Sequence, residues 1–419
     1  MHVVIVDEEL PYPLNSGKRI RTFELISRLA SKHRISYLCH RNADQEEARD
    51  AERVFRHYGI EPIVVDRAVP PKSGPTFYAR LAVNLFSLLP YSVASHTSRA
   101  LIEAARRLQS CDQVDLWQAE WTPYAQTLQA IKAGPRVIMA HNVESQIWRR
   151  YYEAESNLAR KWYIGEQCRK FHQFEYYAYQ HASWVLAVSR EDARRIREEL
   201  GGKQVEVVDN GVDIEAYRRP VDHRRIEGQL LFVGSLDWRP NVDAVEQLLS
   251  VIWPVLREKR SDARLCIVGR NPSKELQRRI REMPGVELHA DVADVRPYYW
   301  SSSVLVVPLR IGGGSRLKIL EAFAAGLPVV STRVGAEGLE VKEGDLTLVE
   351  NNDQIALATL RLLEDTPRRS DQTARALRLV ESRYEWSRLA DRLDEIWQEA
   401  AGHHPQAVAS RPILNEMTA

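Results

Sequence analysis

The feature that most restricts what this chain can fold into is an alternation that runs through twice. Short β-branched and aliphatic runs give way to amphipathic helical stretches. Val3–Val6, Ile35–Cys39, Ile63–Val65, Leu116–Ala119, Arg136–Ala140, Trp184–Val188 and Val205–Val208 read as strands. Helices are predicted over Lys18–Ala30, with Ile20, Phe23, Leu25, Ile26 and Leu29 on one broad face, and over Ala43–Tyr58. Continuous apolar strands separated by helices specify parallel βαβ units whose sheets are covered on both faces. Residues 218–229, RRPVDHRRIEGQ, are polar, charged and broken by Pro and Gly, as a linker should be. The pattern then restarts with Leu230–Val233, a helix over Asp243–Lys259, Leu265–Val268, a helix over Ser273–Arg281, Val286–His289, Val304–Val307 and Pro328–Ser331. The fold class is therefore α/β, with two parallel-sheet domains facing an interdomain cleft. Ligands of such sheets gather at the carboxyl ends of the strands.

Charge removes one class of partner. Of 419 residues, 58 are Lys or Arg and 57 are Asp or Glu, giving a net charge of +1, without the basic excess of a nucleic-acid binder. The four cysteines, Cys39, Cys111, Cys168 and Cys266, are far apart in sequence and form no CxxC. A disulfide scaffold or structural zinc site is not expected, and a reducing compartment is. MHVVIVDEEL lacks the basic and long apolar regions of a signal peptide. No run of 18 apolar residues exists for a membrane span.

The densest chemistry lies in residues 308–330, PLRIGGGSRLKILEAFAAGLPVV. A strand ends at Val307. Gly312, Gly313 and Gly314 follow, and a helix is predicted to open near Ser315. Three glycines let backbone amides approach an anion, and a helix N-terminus adds a favourable dipole. Arg316 and Lys318 place two cations where the dipole opposes them, a local conflict of the kind that marks functional sites. A bound diphosphate resolves it: at about 4 Å and an effective dielectric near 20, each phosphate–cation pair is worth roughly 4 kcal/mol before desolvation. Glu321 follows one to two turns later, where a carboxylate can accept from both hydroxyls of a ribose.

Two further segments carry candidates. In PYPLNSG, Ser16 and Gly17 start a helix whose amides can meet a phosphate or sugar oxygen, with Lys18 and Arg21 as nearby cations. His141 ends a predicted strand, which aims it at the ligand side of the sheet, and Asn142 stands beside it. Glu144 reads as a first-turn acid of the next helix.

These motifs, in this order, resemble those of the retaining GT-B glycosyltransferases of the large family-four group. His141-Asn142-Val143-Glu144 is similar to that family's His-Asn segment, and Ala187-Val188-Ser189 with Asp192 looks like its V-S-x-x-D. Asn210-Gly211-Val212-Asp213 matches its N-G-V-D hinge. Leu231-Phe232-Val233-Gly234-Ser235-Leu236 resembles the first strand of its C-terminal domain. The likeness runs from Val3 to about Trp397. It implies two Rossmann-like domains: an acceptor-binding domain over 1–212, a linker over 213–228 and a nucleotide-sugar domain over 229–385. A C-terminal helix over 386–401 would pack back on the first domain, followed by a tail over 402–419. It implies transfer of a hexosyl group from a nucleoside-diphosphate sugar to a glycan or lipid-linked hydroxyl acceptor, with retention.

Carried over residue by residue, the resemblance makes His141, Arg316, Lys318 and Glu321 catalytic. Gly312, Gly313, Gly314, Ser315, Gly234, Val292 and Arg270 would bind the donor, with the backbone near Val292, which follows Asp291, reading the base. Ser16, Gly17, Arg21 and Asn142 would form the acceptor and phosphate loop. No cofactor and no metal are implied, and no D-x-D occurs. The expected location is cytoplasmic, with peripheral contact on the inner membrane face and a role in exopolysaccharide assembly. Two departures stand out. Gly313 occupies the place of the family's donor-sugar Glu, and Ser235 and Pro240 stand where its Arg and Lys hold the diphosphate. Charge accounting passes that load to Arg316 and Lys318, assisted by Arg239 or Arg270.

Residues 77–93, FYARLAVNLFSLLPYSV, read first as a buried helix and second as an interfacial helix or acceptor wall touching lipid. Residues 143–180 read as helical packing that buttresses the cleft. A nucleotide-sugar epimerase of the same fold and a non-catalytic nucleotide-sugar sensor are the competing readings. A nicotinamide dehydrogenase is excluded by the missing G-x-G-x-x-G after the first strand.

Overall fold

A computed structural model describes residues 1–66, 73–131, 134–311 and 316–402. The chain divides into two compact units, Met1–Asp209 with Leu389–Ala419, and Asn210–Arg388.

The first unit is built on a seven-stranded sheet of β1 (His2–Val6), β2 (Arg34–His40), β3 (Ile60–Val65), β4 (Leu116–Ala119), β5 (Arg136–Ala140), β6 (Trp184–Ala187) and β7 (Val205–Val207). All pairs are parallel, in the order β3-β2-β1-β4-β5-β6-β7. The second carries β8 (Gln229–Val233), β9 (Arg264–Gly269), β10 (Val286–Ala290), β11 (Val304–Val307), β12 (Val329–Thr332) and β13 (Thr347–Val349), again all parallel, in the order β10-β9-β8-β11-β12-β13. Both sheets reverse their winding at one place, between β1 and β4 and between β8 and β11, which is where α/β sheets open a crevice for ligands. The α/β reading with two Rossmann-like sheets is borne out.

Helix α1 (Gly17–Leu29) begins at Ser16, whose hydroxyl accepts from Arg19 N at 3.3 Å, and buries Phe23, Leu25, Ile26 and Leu29. α2 spans Pro75–Asn84, α3 Glu144–Ala154, α4 Leu158–Gln180, α5 Leu317–Ala324 and α6 Trp386–Gly402. α3 and α4 pack together, with Trp148 stacked on Phe171 at 5.9 Å. From Leu389 onward α6 belongs to the first unit. Leu389, Leu393, Ile396, Trp397 and Ala400 are buried at helical spacing. Asp394 meets His33 Nε2 at 2.7 Å and Lys32 Nζ at 3.0 Å.

Three departures from the sequence reading have physical causes. The helix expected over Asp243–Lys259 is Arg239–Gln247, a wider π-type turn over Leu248–Ile252, and Trp253–Lys259. Pro254 has no N–H to give, and the wider turn absorbs the break. β13 is a three-residue edge strand too short to show a period. Residues 77–93 do not form a buried helix. In α2 only Asn84 is buried, while Tyr78, Val83 and, just beyond it, Phe86 are 68%, 71% and 94% exposed. Only its far end reaches a core, through Val93 and Leu89, and the end of α2 is held by a polar clasp: Gln167 Nε2 donates to Asn84 Oδ1 at 3.1 Å, and Lys170 Nζ to the Asn84 carbonyl at 2.7 Å.

Candidate functional site

In the second unit the loops leaving β8 and β11 meet at the crossover point. Gly234, directly after β8, and Gly269, the last residue of β9, sit under extreme crowding. A Cβ on Gly269 would stand 2.1 Å from the Gly234 carbonyl oxygen, and one on Gly234 would stand 2.7 Å from Asn241 Cγ. Only glycine permits that approach. It brings Asn241, donating to the Ser235 carbonyl at 3.0 Å, against α5, where its Oδ1 accepts from Lys318 Nζ at 2.9 Å. Lys318 also lies 4.7 Å from the centre of the Phe232 ring. Burial, followed by repulsion from Arg316, pulls the Lys318 pKa down to about 7, with only partial relief from Glu321. This is an ammonium short of negative charge at the carboxyl end of a parallel sheet.

Glu321 lies one turn further along α5. Tyr217 Oη donates to its Oε1 at 2.9 Å and Tyr299 Oη to its Oε2 at 2.6 Å. Burial raises its pKa, and the two phenols with Lys318 act against that rise. Arg316 is only 5% exposed. Its guanidinium donates to the carbonyls of Glu337 at 3.1 Å and Val334 at 2.9 Å, and contacts the Glu337 carboxylate at 3.3 Å. Of the two cations paired in the sequence reading, Arg316 thus ties down the loop after β12, while Lys318 faces the crossover point. Gly312, Gly313, Gly314 and Ser315 lie outside the described residues.

Arg270 Nε donates to Ser235 Oγ at 2.7 Å, and Ser235 in turn to Asp237 Oδ1 at 2.8 Å. Asn271 and Asp291, both at positive φ, close the ends of β9 and β10, and Asp291 Oδ1 accepts from Asn271 N at 2.8 Å. Val292 follows at a half-buried position on the same sheet end. Arg270, Ser235 and Val292 are thereby placed at the carboxyl ends of neighbouring strands.

In the first unit the loops after β1 and β4 meet in the same way. Asp7, 1% exposed, accepts from Lys18 Nζ at 2.6 Å and from Tyr37 Oη at 2.7 Å. Lys18 lies 5.3 Å from the centre of the Trp121 ring. Burial opposes its charge, but Asp7 and Glu8 outweigh that and raise its pKa. Ser16 and Gly17 form the start of α1.

Arg21 requires a correction. It is 1% exposed, and its guanidinium donates to the carbonyls of Val208, at 2.7 Å, and Asp209. Burial lowers its pKa to about 10. It secures the end of the chain's passage through this unit and is not a cation of the phosphate loop. An arginine one turn into an amphipathic helix looks solvated in sequence; the carbonyls that claim it lie 187 and 188 residues away.

His141 follows β5, and its Nε2 lies 3.3 Å from Glu120 Oε1. Glu120, just beyond β4 and 1% exposed, also accepts from Thr22 Oγ1 at 2.8 Å and Gln118 Nε2 at 2.6 Å. Burial pushes its pKa up, but His141, Thr22 and Gln118 hold it below the ordinary value. Glu120 was not singled out in sequence. Its one signal is an acid directly after a short, fully buried strand at the winding reversal. Asn142 precedes α3 at a half-buried position. The start of α3 is closed by Glu175, whose carboxylate accepts from Glu144 N at 2.6 Å and Ser145 N at 3.1 Å. Glu144 itself is buried and accepts from Trp121 Nε1 at 2.8 Å. Among the described residues no group of three His, Cys, Asp or Glu side chains could hold a metal ion.

Comparison with known proteins follows this geometry. Residues 16–216 match the family model described as Glycosyltransferase Family 4, and residues 227–365 the model described as Glycosyl transferases group 1. Phosphatidyl-myo-inositol mannosyltransferase of Mycolicibacterium smegmatis is 30% identical over 226 residues, which cover 52% of this chain and 57% of that protein. Sucrose-phosphate synthase from Thermosynechococcus elongatus superposes with a TM-score of 0.70 at 16% identity, over 96% of this chain and 100% of the other. HepE of Anabaena in complex with UDP superposes at 0.66 and 16% identity, over 95% and 100%, and it has also been solved with UDP-glucose. The mannosyltransferase match thus spans little more than half of that protein, and the structural likenesses concern the fold. With one model on each unit, the chain belongs to the GT-B glycosyltransferases of the family-four group.

Proposed function

We propose that this protein transfers a hexosyl group from a nucleoside-diphosphate sugar to a hydroxyl acceptor, with retention at the anomeric carbon and without a metal ion. The observation that carries the reading is Lys318, a half-buried lysine at the β8/β11 crossover that donates to a neutral amide oxygen and whose charge is undercompensated. A diphosphate supplies the missing charge, and Glu321, one turn on, suits the ribose. UDP and UDP-glucose in the HepE structures support a donor of this class.

Catalysis is electrostatic in this reading. The diphosphate gains negative charge as the glycosidic bond breaks, so Lys318 binds the transition state more tightly than the ground state. The leaving phosphate oxygen takes the acceptor hydroxyl's proton while the acceptor oxygen forms the new bond on the same face. His141, backed by Glu120, orients the sugar. Incubating the protein with UDP- and GDP-linked glucose and mannose and an acceptor glycan tests this. An α-linked product from an α-linked donor, formed equally in EDTA, is the expected result. Epimerised donor without acceptor would favour the isomerase instead, and loss of activity in EDTA would refute metal independence.

The acceptor side includes α2. No Asp or Glu occurs between Asp66 and Glu103, and Tyr78, Val83 and Phe86 lie exposed beside Arg80. An apolar, acid-free helix of this kind suits the headgroup layer of an anionic membrane. That favours a lipid-linked acceptor in exopolysaccharide assembly, met on the cytoplasmic membrane face. No helix among the described residues is long and apolar enough to cross a membrane. Co-sedimentation with phosphatidylglycerol vesicles is expected. The Phe86→Glu variant should reduce binding by about tenfold, and equal binding by both proteins would remove α2 from the contact.

A further inference from the structure

We propose that Tyr217 and Tyr299 are positioning residues that hold the Glu321 carboxylate ready for the two hydroxyls of the nucleotide ribose, an inference that rests on the donor site proposed above. The two phenols come from separate segments. Tyr217 closes the short helix Ile214–Tyr217, seven residues after the chain passes into the second unit at Asn210. That helix is started by Asp213, which accepts from Ala216 N at 2.9 Å, and the Tyr217 carbonyl accepts from Trp300 Nε1 at 2.8 Å. Tyr299 stands in the helix Arg296–Ser301 that leads into β11, with no exposed surface. Their rings meet edge to face at 5.7 Å, and each delivers its hydroxyl to a different oxygen of Glu321.

That division of labour is what a ribose site requires. A carboxylate offers about four acceptor positions, two on each oxygen. One phenol per oxygen fixes the plane of the group and leaves one position on each oxygen, spaced for a vicinal diol. The phenols also oppose protonation of the group. Burial favours the protonated carboxyl, while Tyr299, Tyr217 and Lys318 favour the anion. A protonated carboxyl has one acceptor position fewer and cannot serve both hydroxyls equally. The groups bearing on this balance are Tyr299, Tyr217 and Lys318 at Glu321 itself, Arg316 at Lys318, and Arg296 and Asp294 at Tyr217. Phenylalanine at either tyrosine would fill the same space and supply neither effect. The segment carrying Asn210-Gly211-Val212-Asp213, which reads in sequence as a hinge, thereby gains a role in reading the donor.

Binding of UDP and of 2′,3′-dideoxy-UDP to the full chain, with the matching GDP pair in parallel, isolates the contribution of the diol. The wild-type protein should prefer the ribose-bearing ligand by roughly a hundredfold. Tyr217→Phe and Tyr299→Phe should each shrink that preference by about tenfold. The shrinkage should be greater at pH 6 than at pH 8, because loss of a phenol raises the pKa of Glu321 and the carboxyl then protonates sooner as pH falls. Glu321→Gln should abolish the preference. If Glu321→Gln abolishes it while both phenylalanine variants keep the wild-type ratio, the tyrosines are not positioning residues and the donor site stands. If Glu321→Gln keeps the ratio, or neither diphosphate binds, the ribose reading fails and this inference fails with it. A variant that is merely less stable weakens both ligands alike and leaves the ratio intact, which also counts against the inference.

Discussion

Replacing Lys318 by Ala is expected to raise the donor KM or cut turnover by at least about tenfold, the size of effect that follows loss of one charge-assisted hydrogen bond. The same change should stabilise the unliganded protein. Lys318 titrates near 7 in the folded chain against 10.5 for an unperturbed lysine. Between those values the unfolded chain binds a proton that the folded chain has released, so this group makes stability rise with pH and costs the fold most below about pH 7. Removing the amine removes that cost, and Lys318→Met also preserves the packing against Phe232. The opposite signs are diagnostic: higher melting temperature without donor and weaker donor binding together mark a residue kept for its ligand. Donor binding should carry the pH signature too. A bound diphosphate raises the Lys318 pKa, so affinity should fall as pH rises above about 7, and this slope should flatten in the variant. Calorimetry with a nucleotide sugar at pH 6, 7, 8 and 9 measures it. A Lys318→Ala protein that binds donor normally would refute the diphosphate site.

The element pattern was legible because the two sheets are buried on both faces. Their inner strands are mostly apolar runs, and the sequence bounds Leu116–Ala119, Arg136–Ala140 and Val304–Val307 to the residue. Legibility failed where a side chain's fate depends on distant chain. Nothing near Arg21 in sequence announces the carbonyls of Val208 and Asp209, and nothing near Glu321 announces Tyr217, 104 residues earlier. The α2 helix misled for a related reason. An apolar, nearly uncharged stretch reads as interior, and only the fold shows that Gln167 and Lys170 grip its end while its face stays uncovered. Sequence spacing located Lys318 and Glu321 on one helix. The partners that set their protonation come from β8, from the helix before β11 and from the segment after Asn210.

The second large effect is expected at a residue the sequence did not mark. Glu120→Gln keeps the volume of the side chain and removes its charge, and should lower kcat by about a hundredfold with little change in donor binding. Glu120 Oε1, 3.3 Å from His141 Nε2, fixes the orientation of the imidazole proposed to face the sugar. Its other oxygen is held by Gln118 Nε2 at 2.6 Å, and Gln118 Oε1 accepts from Trp397 Nε1 at 2.7 Å. Trp397, Gln118 and Glu120 are all buried, so α6 reaches His141 through three consecutive polar contacts. Because these groups act through one imidazole, their effects should not add. The Glu120→Gln/His141→Ala double variant should be no slower than His141→Ala alone. Trp397→Phe should give a smaller loss of the same kind, because the Gln118 carbonyl oxygen loses the indole N–H that donates to it and the amide can turn. Steady-state kinetics on the four variants, with melting temperatures to separate misfolding, checks this. Additive losses, or a Glu120→Gln enzyme at the wild-type rate, would show that Glu120 serves only the fold. The expected outcome would place α6, the last helix among the described residues and 245 residues or more beyond His141 in sequence, in the support of the reacting centre.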